Sequence, residues 1–527
     1  MPDDFNPNAQ ISALIEYHAR RRPDDDALIF EGFRLSWAEF DRQANQVANG
    51  IIGSGVRKSE KVAILAENSL AYFVTLFAII RAGNCAVPLS GMADAGSLKL
   101  MLADCGARML FASERMLALA EQARAGNPLL PDERCIVFDA AADAAISGWV
   151  DYASWLQKQP RTNPGVPVDE SDPFYLIYSS GTTGVPKGIL HSHFSRKSYW
   201  TARIGYRFGE QTRMLISTPL YSNTTQFALL PAVAWGGAVV LMRKSDARTY
   251  LELAQRERAT HTMQVPVQYR RLREIADFDS YDLSSFVWKF STSAPLSADL
   301  KRWLITDWPG RFTEVYGMTE GGVGCMLQAH DHPDKLHTVG IPIPGMQFRI
   351  VDAQMREVPR GDAGELIGHS AYMMDGYFNK PEETAQARWI DEQGRAWQRS
   401  GDIGRMDEDG FVILLDRTKD MIISGGFNIY SADLEGVLAQ QPDVRDCAVI
   451  GVPSEAWGET PLALVVKAPE STLTQLELLR WANARLGKLQ RLSELEFRDE
   501  LPRSTIGKLL KRELREPYWQ QQGKRIA

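Results

Sequence analysis

Between Tyr175 and His193 the chain reads YLIYSSGTTGVPKGILHSH, an apolar run followed by Ser179, Ser180, Thr182 and Thr183, the glycines 181, 184 and 188, and Lys187. Glycine opens φ/ψ space and removes the side chain that would keep an anion away from backbone N–H groups. Such a loop can turn several donors toward a phosphate, with the four hydroxyls adding donors and Lys187 a positive charge. The Walker pattern does not fit, because its lysine follows a glycine and precedes a hydroxyl residue, whereas Lys187 stands between Pro186 and Gly188. The spacing predicts another kind of nucleotide loop. Taken alone, the same residues also describe an ordinary Ser- and Gly-rich surface turn.

The surrounding elements must position this loop. Residues 175–178 suit a buried strand, and further strand candidates at 214–218, 238–242, 261–265, 287–292 and 313–317 are separated by helix-length segments. Upstream, 38–53 is amphipathic with helical spacing, KVAILAEN reads as a strand and 70–82 as a helix before CAVPLS. This rhythm predicts a mainly parallel, helix-covered sheet. Ligands in such sheets bind beyond the carboxyl ends of the strands, so STSAP, containing Ser293, Ala294 and Pro295, and YGMTEGG at 316–322 join the first loop as candidates. From residue 347 onward short strands and tight turns take over, with Asp409-Gly410 as a hairpin signal. Beyond residue 416 another αβ unit follows, with helices expected over 431–440 and 472–486. The expected architecture is α/β: a large N-terminal domain (1–415) of helix-covered, mainly parallel sheets with a small β-rich subdomain, and a small mobile α+β C-terminal domain (416–527).

At 527 residues the chain exceeds one usual core, and 44% hydrophobic with 24% charged residues describes an ordinary globular protein. A formal charge of −7 offers no broad basic footprint, so neither nucleic acid nor an anionic membrane is an expected partner. The five cysteines are scattered without metal-type spacing, which argues against a disulfide framework and for a reducing cytoplasm. The opening MPDDFNPNAQ lacks the basic and apolar regions of a secretory signal. The most apolar stretch, 70–80, is too short to span a bilayer and reads as a buried helix. No internal repeat of fixed period and no low-complexity tract occur.

Six separated segments, YSSGTTGVPKG, STSAPLSADL, YGMTEGG, SGDIG, DRTKDMIISGGFNIY and PRSTIGKL, stand in one order along the full chain. Together they resemble the acyl-adenylate-forming superfamily of acyl-CoA synthetases, firefly-type luciferases and peptide-synthetase adenylation domains. The resemblance implies an enzyme that joins a carboxylic acid to the α-phosphate of MgATP, releases pyrophosphate, and passes the acyl group to coenzyme A. It implies that Ser179, Ser180, Gly181, Thr182, Thr183, Gly184 and Lys187 hold the ATP phosphates, with Ser293, Ala294, Pro295 and Gly317 completing the nucleotide site. By the same resemblance Tyr316 offers a face to adenine and Thr319 a hydroxyl to the α-phosphate, while Glu320 gives Mg²⁺ a hard oxygen. Asp402 accepts from the ribose hydroxyls and Arg417 supports ribose or phosphates. Lys508 meets the carboxylate and α-phosphate, Lys419 is the hinge, and Ser424, Gly425, Gly426 and Phe427 line the pantetheine path.

Lys508 also closes a Pro502-x-x-x-x-Gly507-Lys508 pattern that resembles the acetylation site of bacterial acyl-CoA synthetases, which makes a lysine acetyltransferase an expected partner. Lys511 and Arg512, by contrast, read as solvated charges on a basic helix. The chain departs from the family at Pro219-Leu-Tyr-Ser-Asn223, where many members carry a histidine and amino-acid-activating members an aspartate. Tyr221, Ser222 and Asn223, with room left by Gly321, Gly322 and Gly324, are expected to shape the acid pocket. No arginine or lysine lies within these segments, so a second carboxylate on the acid is not expected unless a distant basic side chain reaches the pocket. Alternatives are an adenylate former that loads a carrier-protein thiol, and a nucleotide-binding paralogue without chemistry.

Overall fold

The computed structural model describes residues 4–139, 147–179, 186–201, 204–425, 427–503 and 509–520. Its N-terminal part is built on two large sheets. A nine-stranded sheet runs from Ile341–Pro342 through Gly324–Gln328, Arg311–Gly317, Trp288–Ser291, His261–Gln264, Arg213–Ile216, Ala238–Leu241 and Asp26–Phe30 to Phe33–Ser36. The run from Arg311–Gly317 to Asp26–Phe30 is parallel. An eight-stranded sheet orders Gly376–Tyr377, Lys187–Ser192, Pro173–Ser179, Cys85–Leu89, Lys61–Leu65, Met109–Ser113, Cys135–Phe138 and Val150–Asp151.

Side-chain alternation along a strand sends successive residues to opposite faces, and both faces of these sheets are covered. Met214 and Ile216 point with Val62 and Ile64 into one core shared by the two sheets, which holds helices Trp37–Gly53, Leu70–Arg81 and Asn223–Ala234. Leu215 faces a second core under Tyr250, Leu272 and Trp308, and Ala63 and Leu65 a third under Leu98 and Leu102. Helix Leu70–Arg81 starts where Ser69 accepts from Tyr72 N at 3.1 Å, and its residues from Ala71 on are buried. No helix among the described residues is long and apolar enough to cross a membrane.

The β-rich segment forms an antiparallel five-stranded sheet of Gln347–Val351, Gly364–His369, Ala396–Met406, Arg388–Ile390 and Val412–Arg417. Its Asp407–Phe411 turn carries Gly410 at φ 89°. Asp416 and Arg417 end the last of these strands, and the chain crosses at 418–421 to a sheet of Phe427–Ile429, Ile422–Ser424, Gly458–Lys467, Val444–Ser454 and Glu494–Phe497. Helices Ser431–Leu438 and Gln475–Asn483 cover one face of this smaller domain, and Lys511–Gln520 covers the other through Leu514 and Tyr518. The helix expected over 472–486 starts at Gln475, because Thr474 and Glu477 exchange hydrogen bonds in a capping box, and it ends at Asn483.

Candidate active site

Strand Pro173–Ser179 runs antiparallel to Lys187–Ser192 with Ser179 opposite Lys187, so the Ser/Gly/Thr loop closes a hairpin. Ser180, Gly181, Thr182, Thr183 and Gly184 lie outside the described residues. The Lys187 ammonium sits 5.1 Å from the centroid of the Tyr377 ring, and the Tyr377 hydroxyl donates to Glu320 Oε1 at 2.8 Å. Tyr377 belongs to the two-residue strand Gly376–Tyr377 that extends the hairpin, so the loop's lysine and Glu320 are joined through one ring. Burial first, then the Glu320 carboxylate, raises the Tyr377 phenol, which stays a donor.

Strands Trp288–Ser291 and Arg311–Gly317 are adjacent and parallel, which brings Ser293, Ala294 and Pro295 beside Tyr316, Gly317, Thr319 and Glu320 at their carboxyl ends. Ser293 holds φ 81°, a left-handed conformation uncommon outside glycine, and its hydroxyl meets that of Thr224. That contact fixes the bend against helix Asn223–Ala234, where Ser222 is the N-cap. The Tyr316 hydroxyl donates to Asp402 Oδ2 at 2.7 Å, across to the five-stranded sheet. Arg417, opposite Asp402 in the ladder, reaches Oδ1 at 3.3 Å. Burial, then Asp402, pushes the Tyr316 phenol well above its ordinary value, which keeps its proton on. Each Asp402 oxygen retains acceptor capacity beyond its one donor.

The glycines of YGMTEGG act differently from the expectation. A Cβ on Gly322, at φ 83°, would stand 2.7 Å from Gln398 Cβ and 3.1 Å from the Gly368 carbonyl, and one on Gly321 2.9 Å from the Tyr372 carbonyl. The missing side chains let two backbones close on each other, and the room assigned to an acid at Gly322 is occupied by Gln398 and Met373. Gly425, at φ 57°, packs under Trp457, which a Cβ would meet at 2.7 Å. Ser424 and Phe427 pair across the same hairpin with Phe427 half exposed, and Gly426 lies outside the described residues.

Lys419 occupies an exposed turn whose carbonyl accepts from Arg515 Nη1 at 3.0 Å, while Arg515 Nη2 reaches Asp420 Oδ1 at 2.8 Å. The last helix is thereby tied to the crossing between the domains. Lys508 lies outside the described residues. Lys511 is not the solvated charge its sequence context suggests: its ammonium is 2.8 Å from Glu435 Oε1 and bonds the Ser431 hydroxyl.

Tyr377, His191 and Arg196 carry no local pattern that marks them in the sequence. His191 is fully buried against the Thr319 backbone, with Nε2 unpartnered, and burial and then the Arg196 charge hold it neutral. As a cation site, Glu320 offers one carboxylate, and no cluster of three His, Cys, Asp or Glu stands ready among the described residues. That donor set fits Mg²⁺, which takes few protein carboxylates and completes its shell with phosphate oxygens and water.

The family model described as AMP-binding enzyme matches residues 15–378, and the one for the AMP-binding enzyme C-terminal domain matches 433–508. A feruloyl-CoA synthase of an Amycolatopsis species is 34% identical over 95% of this chain and 97% of its own length. A fatty acid–[acyl-carrier-protein] ligase of Streptomyces coeruleorubidus is 28% identical over 98% of both chains. Among solved structures, the anthranilate CoA ligase AuaEII in complex with anthranoyl-AMP superposes with a TM-score of 0.85 at 25% identity, covering 99% of each chain.

Proposed function

The chain belongs to the AMP-binding enzymes, and from that premise we propose that it is an AMP-forming acid–CoA ligase using ATP, Mg²⁺ and coenzyme A. In the first step a carboxylate oxygen attacks the α-phosphorus and pyrophosphate leaves with the electrons of the broken P–O bond. In the second the CoA sulfur attacks the acyl carbon, the acyl–oxygen bond breaks, AMP leaves and the thiol proton passes to solvent. Two anions must meet in the first step, so the barrier is largely electrostatic and catalysis consists of positioning and charge neutralisation.

The tie between Tyr316, Asp402 and Arg417 supports this reading most directly. Asp402 is assigned to both ribose hydroxyls, Tyr316 to adenine, and Arg417 to ribose or phosphates. Residues 179–184 and Lys187 are assigned to the β- and γ-phosphates, and Thr319 to the α-phosphate. Glu320 holds Mg²⁺, which supplies charge neutralisation at the phosphates, and Tyr377 orients Glu320. Lys508 serves both anions of the first step. The acid lies along Tyr221, Ser222 and Asn223, facing Ser293.

For the second step the domain beyond residue 415 turns about Lys419 and presents Ser424, Gly425, Gly426 and Phe427 to the pantetheine arm. The five free cysteines, four of them buried, support a reducing cytoplasm. The Pro502–Lys508 pattern supports a lysine acetyltransferase as a regulator that removes the charge of Lys508.

Tyr316→Phe deletes the donor to Asp402 and is expected to raise the KM for ATP about tenfold, the worth of one hydrogen bond to a charged group, with the KM for the acid unchanged. Steady-state kinetics with each substrate varied in turn checks this. The function itself is tested by pyrophosphate release from MgATP across fatty, aryl and alicyclic acids, both mono- and dicarboxylic, each with and without CoA. Release with one acid class that accelerates with CoA and yields AMP is the expected result. Release indifferent to CoA points instead to a carrier-protein thiol, and no release with any acid contradicts the proposal.

A further inference from the structure

Helix His193–Thr201 carries Arg196, whose side chain is almost wholly enclosed at 1% exposure. Its Nη1 donates to Asn223 Oδ1 at 2.8 Å, and the guanidinium lies 4.7 Å from the centroid of the Tyr199 ring and 5.8 Å from that of Tyr175. Nε and Nη2 are buried and make no hydrogen bond. The next residue, Lys197, pairs with Glu170 at 2.6 Å, but among the described residues no carboxylate pairs with Arg196.

Arginine keeps its charge in proteins, so this is a buried cation without a counter-ion. Burying a charge is strongly unfavourable unless it is paired and hydrogen-bonded, and cation–π contact with two rings offsets only part of that cost. The geometry of the unused donors is specific. Nε–H and the outer Nη2–H lie along one edge of the guanidinium as two parallel bonds, spaced to meet the two oxygens of a carboxylate. Asn223 takes the third nitrogen and two tyrosine rings lie close to the guanidinium, so the enclosed Nε–Nη2 edge is the part of the group with no hydrogen-bond partner. A ligand reaches it only as neighbouring side chains move aside. Asn223 opens the helix capped by Ser222, and Thr224 in its first turn meets Ser293 beside Tyr316.

We propose that Arg196 receives a second carboxylate of the acid substrate, so that the enzyme activates dicarboxylic acids with one carboxylate adenylated and the other on the Nε–Nη2 edge. The assignment rests on the acid–CoA ligase reading. It reverses the expectation drawn from the pocket segments, which contain no basic side chain: Arg196 reaches Asn223 from the helix after the phosphate hairpin.

The test compares CoA-dependent pyrophosphate release for matched pairs, hexanoate with adipate and benzoate with terephthalate, plus the monomethyl ester of each diacid. Wild type is expected to favour the diacid in kcat/KM on the order of 10³-fold over the mono-acid and over the ester. Arg196→Met removes the charge at similar length and is expected to bring that ratio to about one, through the KM for the diacid. Its thermal midpoint should equal or exceed that of wild type, because an uncompensated buried charge has gone. Asn223→Asp keeps the arginine but supplies a carboxylate beside it, and the same collapse is expected should R196M fail to fold. A wild-type ratio at or below one, or a ratio that R196M or N223D leaves intact, overturns the proposal while the ligase reading stands. A lowered thermal midpoint with an unchanged ratio marks Arg196 as packing alone and overturns it too. No release with any acid overturns both.

Discussion

Lys508→Ala is expected to slow acyl-AMP formation by about 10²–10³-fold, the usual loss when one preorganised charge is withdrawn from a developing anion, while a supplied acyl-AMP still reacts with CoA at close to the wild-type rate. The asymmetry follows from where the two steps carry charge. Adenylation brings a carboxylate against the α-phosphate, and an ammonium between them stabilises the transition state more than either ground state. In thiolysis the acyl group leaves an AMP already formed, and the proposed turn about Lys419 removes Lys508 from the site. Quenched-flow measurement of each half-reaction checks both rates. Equal loss in both steps would contradict the separation of roles between the two faces of the C-terminal domain.

The second large effect is the reverse of the first. Gly425→Val is expected to leave adenylation near wild type and to slow thioester formation by about 10²-fold, since a displacement near 1 Å at a positioning loop costs this much. Gly425 holds φ 57°, which a β-branched residue adopts only under strain, and its Cβ would collide with the Trp457 indole at 2.7 Å. The exposed Trp457 ring can swing aside, but the positive φ strains valine at this position, and relieving that strain moves the hairpin Ile422–Ser424 and Phe427–Ile429, with Phe427 at its tip. Lys508→Ala and Gly425→Val should complement each other in opposite half-reactions. A loss of adenylation in Gly425→Val would mean that the loop serves the first step.

The strands were legible because runs of β-branched and apolar residues bounded by turn signals leave little choice of element. The segment expected over 287–292 is the strand Trp288–Ser291, and that over 261–265 is His261–Gln264. Placing loops at the carboxyl ends of parallel strands then put Ser293 beside Tyr316 without knowledge of any contact. Tyr316 and Asp402, both singled out in the sequence, meet through one hydrogen bond across two sheets.

Contacts from elements with no periodic signal were not legible. Tyr377 lies in a strand of two residues, too short to show alternation, and reaches Glu320 only because that strand extends the hairpin. Arg196 stands in SRKS among basic residues that look solvated, and it is buried by tertiary packing, against Asn223 of the neighbouring helix and Tyr175 of strand Pro173–Ser179. Gly322 misled for a different reason: a sequence reports that a side chain is missing, but not whether a ligand, water or another backbone fills the space. Lys511 likewise reads as a surface charge until Glu435 and Ser431 meet it from another element.

The most direct test of the account follows the oxygen. With an acid substrate carrying ¹⁸O in both carboxylate positions, turnover with MgATP and CoA is predicted to place one ¹⁸O in the phosphate of AMP and none in pyrophosphate. The carboxylate oxygen that attacks the α-phosphorus stays there when the acyl–oxygen bond breaks. AMP without label, or label in released orthophosphate alongside ADP, would contradict an acyl-adenylate and with it the central claim.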